Sequence, residues 1–414
     1  MKISGILRVV IGIILFVDLK FYYIIPLPSV IEQLNNNHQK IIIVLIVILV
    51  FSCFLFKLIN LNNLIFKKSI FYFIILYLIE LIISWYRHNQ GLMNVFISSN
   101  YYILLLSYFI FIYYLRKNSN NKAFKEKIIN INVFISVLFL LQYILIKFNV
   151  KFLQINFEYY RFGELRIYEA ASMFVNLGVI LALGNLLKLK RGKKNNCKSI
   201  LCIILSLINI IIVAKGRMGL LIILCTMILM ILYRYRKNAI KIFIAISIIG
   251  VVGLLFIRTD VAQEYIKSSQ IKDASITNRQ GAINMYVDQI KKNPIFGMGF
   301  IRDMDNSEAV LLLRGPKGSY TRTDVGIIGF TNTFGILGFA WYIYILIKFS
   351  YIILILHRKN VLNMNLELLG IFIMVILTSF TLIVMDSERI LIMPIFMALL
   401  DYTVNKYKIK LKRG

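Results

Sequence analysis

The residues of this 414-residue sequence best placed to do chemistry are arginines. Arg279 stands near the start of a stretch, 278–299, in which Ile283, Tyr286, Val287 and Ile290 recur at helical spacing. The pattern predicts an amphipathic helix, capped by Thr277 or Asn278 and ended by Asn293-Pro294, with Gly297-Met298-Gly299 as a flexible turn after it. Arg279 lies four residues before Ile283 and so shares the apolar face, pointing away from water. Its planar guanidinium fork can close a salt bridge that locks the segment down, or hold a phosphate. Further basic residues recur in other segments between apolar runs. Lys215-Gly216-Arg217 makes a tight turn, Arg161 and Arg166 lie among Glu158, Glu164 and Glu169, and Arg314, Lys317 and Arg322 precede Asp324. Pairing with these carboxylates is the structural reading. An anionic ligand, gathered by cations converging from separate loops, is the favoured one. Glu80 lies inside an apolar run, where ionisable groups are candidates for function. Asp386, Glu388 and Arg389 make a short polar turn.

The elements that must position these residues are membrane helices. The chain is 59% hydrophobic, an excess too large to bury in a soluble core, so much of it must face lipid. Runs long enough to span a bilayer fall near 5–25, 40–57, 69–86, 97–115, 128–147, 168–187, 199–214, 217–234, 239–257, 326–349, 366–385 and 389–405. The expected fold class is all-α: a polytopic integral membrane protein of about 12 transmembrane helices. The N-terminus resembles a signal peptide, but no small-residue cleavage site follows, so it reads as an uncleaved first span. Tyrosines such as Tyr22, Tyr23, Tyr101, Tyr102, Tyr113 and Tyr114 fall near span ends and suggest interfacial belts.

The formal charge of +29 would suggest nucleic acid in a soluble protein. Here the basic residues sit in short loops on alternate sides, which is a topology signal. The rich set includes Lys67 and Lys68, Arg116 and Lys117, Lys188 and Lys190, Arg234 and Arg236, Arg358 and Lys359, and the C-terminal tail. By the positive-inside rule these are cytoplasmic, which places both termini inside and the long segment 259–325 outside. The expectation is one membrane domain, 1–414, carrying one extracytoplasmic loop, 259–325. Cys53, Cys197, Cys202 and Cys225 form no pair at disulfide or zinc spacing. There is no Walker loop, HExxH, GxSxG or acidic pair for a metal-bound sugar nucleotide, and His38, His88 and His357 lie outside the long loop.

Three stretches resemble the O-antigen polymerase and ligase superfamily: AKGRMGLL at 214–221, NRQGAINMYVDQIKKNPIFGMGF at 278–300 and TDVGIIGFTNTFGILGF at 323–339. The order of these motifs and the large late outer loop add to the likeness. The resemblance implies a glycosyltransferase-C-like helical membrane fold. It implies transfer of a glycan from undecaprenyl pyrophosphate at the outer face of the bacterial cytoplasmic (inner) membrane. Carried onto these motifs, Arg217 and Arg279 hold the leaving pyrophosphate. Arg161, Arg166, Lys215, Arg314 and Arg322 contribute to substrate binding, and Asp324 orients or deprotonates the acceptor hydroxyl. No cofactor or metal is called for, since arginines supply the positive charge. Implied partners are the lipid-linked oligosaccharide, membrane lipids, a chain-length regulator and a flippase, with no nucleic acid. Ligases of this superfamily usually carry a histidine in or near the long loop, and this loop has none, so the reading leans to a polymerase of surface polysaccharide. The alternatives are a ligase and a lipid-linked oligosaccharide flippase. A flippase would be expected to show paired repeats, which are not visible.

Overall fold

The computed structural model describes residues 3–19, 24, 36–59, 63–118, 121–153, 160–161, 164–167, 171–188, 193–238, 274–302, 307–316 and 318–409. The expected span at 239–257, the first part of the long loop, Lys317, Tyr22, Tyr23 and the side chain of Arg161 lie outside the described residues.

The chain is a helical, polytopic membrane protein. Its described helices are α1 (Ile3–Asp18), α2 (Asn36–Ile59), α3 (Lys67–His88), α4 (Leu92–Ser99), α5 (Ser107–Asn118), α6 (Asn121–Leu145), α7 (Ala171–Leu186), α8 (Lys193–Ile208) and α9 (Arg217–Tyr235). These are followed by α10 (Ala274–Lys292), α11 (Ser307–Arg314), α12 (Ile327–Arg358), α13 (Leu366–Ser379) and α14 (Ile392–Lys406). A two-residue antiparallel ladder pairs β1 (Tyr160–Arg161) with β2 (Glu164–Leu165). Among the described residues, six helical stretches are long and apolar enough to cross a bilayer: Lys67–His88, Leu92–Lys117, Asn121–Phe148, Asn196–Val213, Arg217–Tyr235 and Ile327–Arg358. Three shorter apolar helices, Lys40–Leu55, Phe174–Leu186 and Leu366–Ser379, match further expected spans.

The chain divides into two compact units. The first comprises Met1–Phe124, Asn278–Ile355 and Val375–Gly414. Its centre is aromatic: Phe73 lies 4.3 Å from Trp341, 5.3 Å from Phe334 and 5.7 Å from Tyr102, centroid to centroid. A buried carboxylate ties two of its helices and the loop before α3 together. Asp401 on α14 accepts from Tyr108 (2.5 Å), Arg116 (2.7 Å), Asn405 (2.6 Å) and the Ile65 backbone (2.7 Å). Such a charge is tolerable in an apolar interior only because its oxygens are satisfied. Lys40 pairs with Asp18 in the same way between α1 and α2.

The second unit comprises Lys125–Thr277 and Leu356–Met374. Buried Glu367 takes Lys125 and Lys188 (3.2 Å) as partners. Gly184 lets α7 approach α13 closely, because a Cβ there would fall 2.8 Å from that of Glu367. Asn132 on α6 donates to Ser206 on α8 (3.0 Å), an interhelical polar contact typical of membrane bundles.

One sequence expectation changes. Tyr102 and Tyr114 are buried against protein, at 3% and 9% exposure, where an interfacial belt would leave them facing lipid. The polar turn of Asp386 and Arg389 is itself buried. Both are about 4% exposed and pair with each other in the irregular stretch between α13 and α14. That stretch lacks helix and is tolerated in a membrane protein because Leu382, Ile383, Val384 and Met385 bury it in protein.

Candidate functional site

The site in the first unit begins with a break in a membrane helix. Gly335 adopts φ 63°, ψ −160° inside α12, and a Cβ there would meet the Ile295 carbonyl at 2.1 Å. The break frees backbone groups that pair with the segment after α10. Ile336 N–H donates to the Pro294 carbonyl (2.8 Å), while Met298 and Gly299 N–H donate to the carbonyls of Asn332 (2.7 Å) and Thr333 (3.0 Å). The Gly297-Met298-Gly299 turn, expected to be flexible, is therefore pinned. Gly297 and Gly299 hold φ of 68° and 73°, a region that glycine enters without the steric cost of a Cβ. Helix α10 itself starts earlier than its sequence suggests, at Ala274, so Thr277 and Asn278 lie within it and do not cap it. It ends at Lys292, just ahead of Asn293-Pro294.

Helix α3 braces the pinned segment from the other side. Arg87 donates to the Gly297 carbonyl, and His88 Nε2 lies 2.6 Å from the Met298 carbonyl. Ser84 Oγ accepts from Phe300 N–H (2.8 Å) and donates to the Glu80 carbonyl (2.6 Å). The Glu80 side chain is fully buried, and its Oε2 has no hydrogen-bond partner. A Cβ on Gly299 would lie 2.1 Å from Ser84 Oγ and 2.6 Å from Glu80 Oε1, so these two side chains floor the turn.

The pinned turn presents its carbonyl to Arg322. Arg322 Nη1 donates to Gly299 O (2.8 Å) and reaches Thr333 Oγ1 at 3.4 Å. Its Nε and Nη2 are closed off from solvent and have no hydrogen-bond partner. Burial draws the Arg322 pKa below its ordinary value, opposed by Tyr286, Tyr102, Tyr101 and Glu80 nearby. An arginine stays charged in proteins. A half-buried cation whose enclosed donors lack partners is costly unless an anion meets it.

Arg322 also lines a cavity of about 340 Å³. Its walls include Ser98, Tyr101, Tyr102, Phe300, Arg302, Arg314, Arg322, Thr323, Phe330, Thr333 and Asp386, and no histidine is among its described lining residues. Helix α10 packs on the same loop through Ala282 and Tyr286 against Val325, with Tyr286 Oη donating to the Leu313 carbonyl (2.6 Å). Burial pushes the Tyr286 phenol up to about 12, so it remains a neutral donor.

The predicted site residues divide between the two units. In the first, Arg314 and Arg322 line the cavity. Asp324 is exposed, on the same 3-10 turn as Arg322 and one residue beyond the lining residue Thr323. Arg279 is half-buried on α10, one turn before Ala282, with a buried Nε that has no hydrogen-bond partner. In the second unit, a π-helical turn, Asn209–Val213, leads from α8 into the basic tight turn before α9. Lys215 is buried there at φ 46°, Arg217 opens α9, and Arg166 Nε donates to the Ala214 carbonyl (2.8 Å). Arg166, Lys215 and Arg217 are thus brought to one turn, while Arg161 contributes only its backbone to the description. Sequence reasoning did not single out Tyr101, Tyr102, Arg302 or Ser84 as site residues. Only the paired tyrosines carried any signal, and they had been assigned to the membrane interface.

Fold and site together define a polytopic membrane protein with an arginine-lined, aromatic-walled cavity beside a broken helix. Residues 201–343 match the family model described as O-antigen ligase. The match supports the O-antigen polymerase and ligase superfamily, covers about a third of the chain, and includes Lys215, Arg217, Arg279, Arg314, Arg322 and Asp324. No curated protein matches the chain.

Proposed function

We propose that this protein is a polysaccharide polymerase of the bacterial cytoplasmic membrane. It joins undecaprenyl-pyrophosphate-linked repeat units into a surface polysaccharide at the outer face, with both termini in the cytoplasm and 1–414 acting as one membrane domain that carries the 259–325 loop. The observation that carries this reading is Arg322. It lies within the family-matched segment and lines the cavity, and two of its guanidinium nitrogens are enclosed without a hydrogen-bond partner. A leaving pyrophosphate gains charge as its bond to the sugar breaks, and fixed donors aimed at that charge lower the barrier.

In the reaction, a hydroxyl oxygen of the acceptor sugar bonds to the anomeric carbon of the donor. The anomeric carbon–oxygen bond to phosphate breaks, and lipid pyrophosphate departs with the electron pair. Asp324 takes the hydroxyl proton, as its acidic side chain near the cavity allows. Arg217 and Arg279 are each assigned to phosphate, and Arg161, Arg166 and Lys215 to substrate binding. Arginines supply the charge that a metal would otherwise supply. A chain-length regulator and a flippase complete the assembly line. The long loop has no histidine of its own, which leans the reading to a polymerase over a ligase, while His88 of α3 reaches the loop at the Met298 carbonyl.

The test is to place the purified protein in sealed vesicles with the host's own lipid-linked repeat unit and to resolve products by glycan length. A ladder is expected. Substrate crossing the bilayer without lengthening would assign the protein to transport. A single transfer to a different acceptor would make it a ligase.

A further inference from the structure

We infer that Tyr101 and Tyr102 build a sugar-ring subsite for the saccharide attached to the phosphate at Arg322, an inference that rests on the polymerase reading. Both residues belong to Asn100–Leu106, a seven-residue 3-10 stretch in the middle of the apolar run Leu92–Lys117. Such runs rarely exceed three or four residues, and a mid-helix 3-10 stretch often marks a functional constraint. Here it lies against the cavity. The rings of Tyr101 and Tyr102 stand 4.3 Å apart, and both line the cavity beside Arg322. Tyr102 is held by ring contacts with Phe334 (4.9 Å), Phe73 (5.7 Å) and Phe300 (5.8 Å), so the surface it offers with Tyr101 is rigid.

The mixed character of the walls selects the ligand. A lipid tail would find no match for Arg322, Thr323 and Thr333. A bare pyrophosphate would gain little from Tyr101, Tyr102 or Phe330. A pyranose ring carries apolar C–H faces and hydroxyl edges, which suit tyrosine rings on one side and hydroxyl and guanidinium groups on the other. At about 340 Å³ the cavity is within the range of small-molecule sites. With phosphate on Arg322, the first sugar of the same molecule is the group within reach of Tyr101.

The experiment measures binding in nanodiscs of two probes: undecaprenyl pyrophosphate without sugar, and the undecaprenyl-pyrophosphate-linked repeat unit extracted from the host. Tyr101→Leu is expected to weaken the sugar-bearing lipid by about tenfold and leave the sugar-free lipid within about twofold. Tyr101→Phe keeps the ring and is expected to retain most of the sugar-dependent affinity, which also controls for folding. Arg322→Gln should weaken both lipids. Equal losses on both probes with Tyr101→Leu, or no loss on either, would overturn the subsite alone, provided Arg322→Gln still weakens both. Wild-type protein that binds neither lipid would overturn the polymerase reading and the subsite with it.

Discussion

Replacing Arg322 by lysine keeps the charge and removes the geometry. Of the five N–H donors of a guanidinium, those on Nη1 face Gly299 O and Thr333 Oγ1, while those on Nε and Nη2 have no hydrogen-bond partner. A lysine ammonium can replace the bond to Gly299 O, but it cannot also supply the planar fork of a guanidinium. Losing one preorganised donor to developing negative charge costs about 2.7–4 kcal/mol, or roughly 100–1000-fold in kcat. Within the fold the change exchanges one charged hydrogen bond for another, a difference of about 1–2 kcal/mol. The variant should therefore fold and bind substrate while turning over slowly. The assay is steady-state release of undecaprenyl pyrophosphate in nanodiscs at saturating lipid-linked repeat unit, beside a thermal melt. A kcat within threefold of wild type, in protein that melts normally, would refute the assignment of Arg322 to the leaving group.

Four further perturbations test other parts of the account. Gly299→Ala sets a Cβ against Ser84 Oγ at positive φ, with about 2–5 kcal/mol of strain and overpacking, and should cut turnover by displacing the carbonyl that holds Arg322; adding Ser84→Ala should restore part of the rate in the same assay. Arg116→Met leaves the buried Asp401 carboxylate without its cation and should destabilise the protein by about 3–5 kcal/mol, read as a lower melting temperature in detergent. Arg217→Lys and Arg279→Lys should each lower activity despite the retained charge, and full activity in both at normal expression would remove them from phosphate binding. Asp324→Asn should slow turnover more than it weakens donor binding, and an unchanged kcat would exclude the proton-acceptor role.

The membrane architecture was legible in the sequence because hydropathy alone determines which segments can face lipid. The end of α10 was legible for a local reason: Asn293-Pro294 interrupts the helix wherever it packs. What could not be read was anything set by long-range pairing. Gly335 looks like one more glycine in a glycine-rich span, and only the Ile295 carbonyl lying against it shows why the helix breaks there. Glu80 stood out as an ionisable residue at depth, but its place beneath Gly299 depends on a contact more than two hundred residues away in the chain. Tyr101 and Tyr102 were assigned to the membrane interface because a tyrosine near a span end reads the same whether it faces headgroups or a cavity. Arg322 appeared as one cation among several, and its unused buried nitrogens follow from the pinned turn that holds it.

The most direct test of the central claim is a stoichiometry. Released undecaprenyl pyrophosphate is counted against repeat units joined, using purified protein and the host's lipid-linked repeat unit. A polymerase that works through the proposed leaving group gives one lipid pyrophosphate per glycosidic bond formed, with Arg322→Lys slowing both equally. Lipid pyrophosphate release without lengthening would show hydrolysis, and lengthening without release would show that the pyrophosphate is not the leaving group; either result contradicts the account.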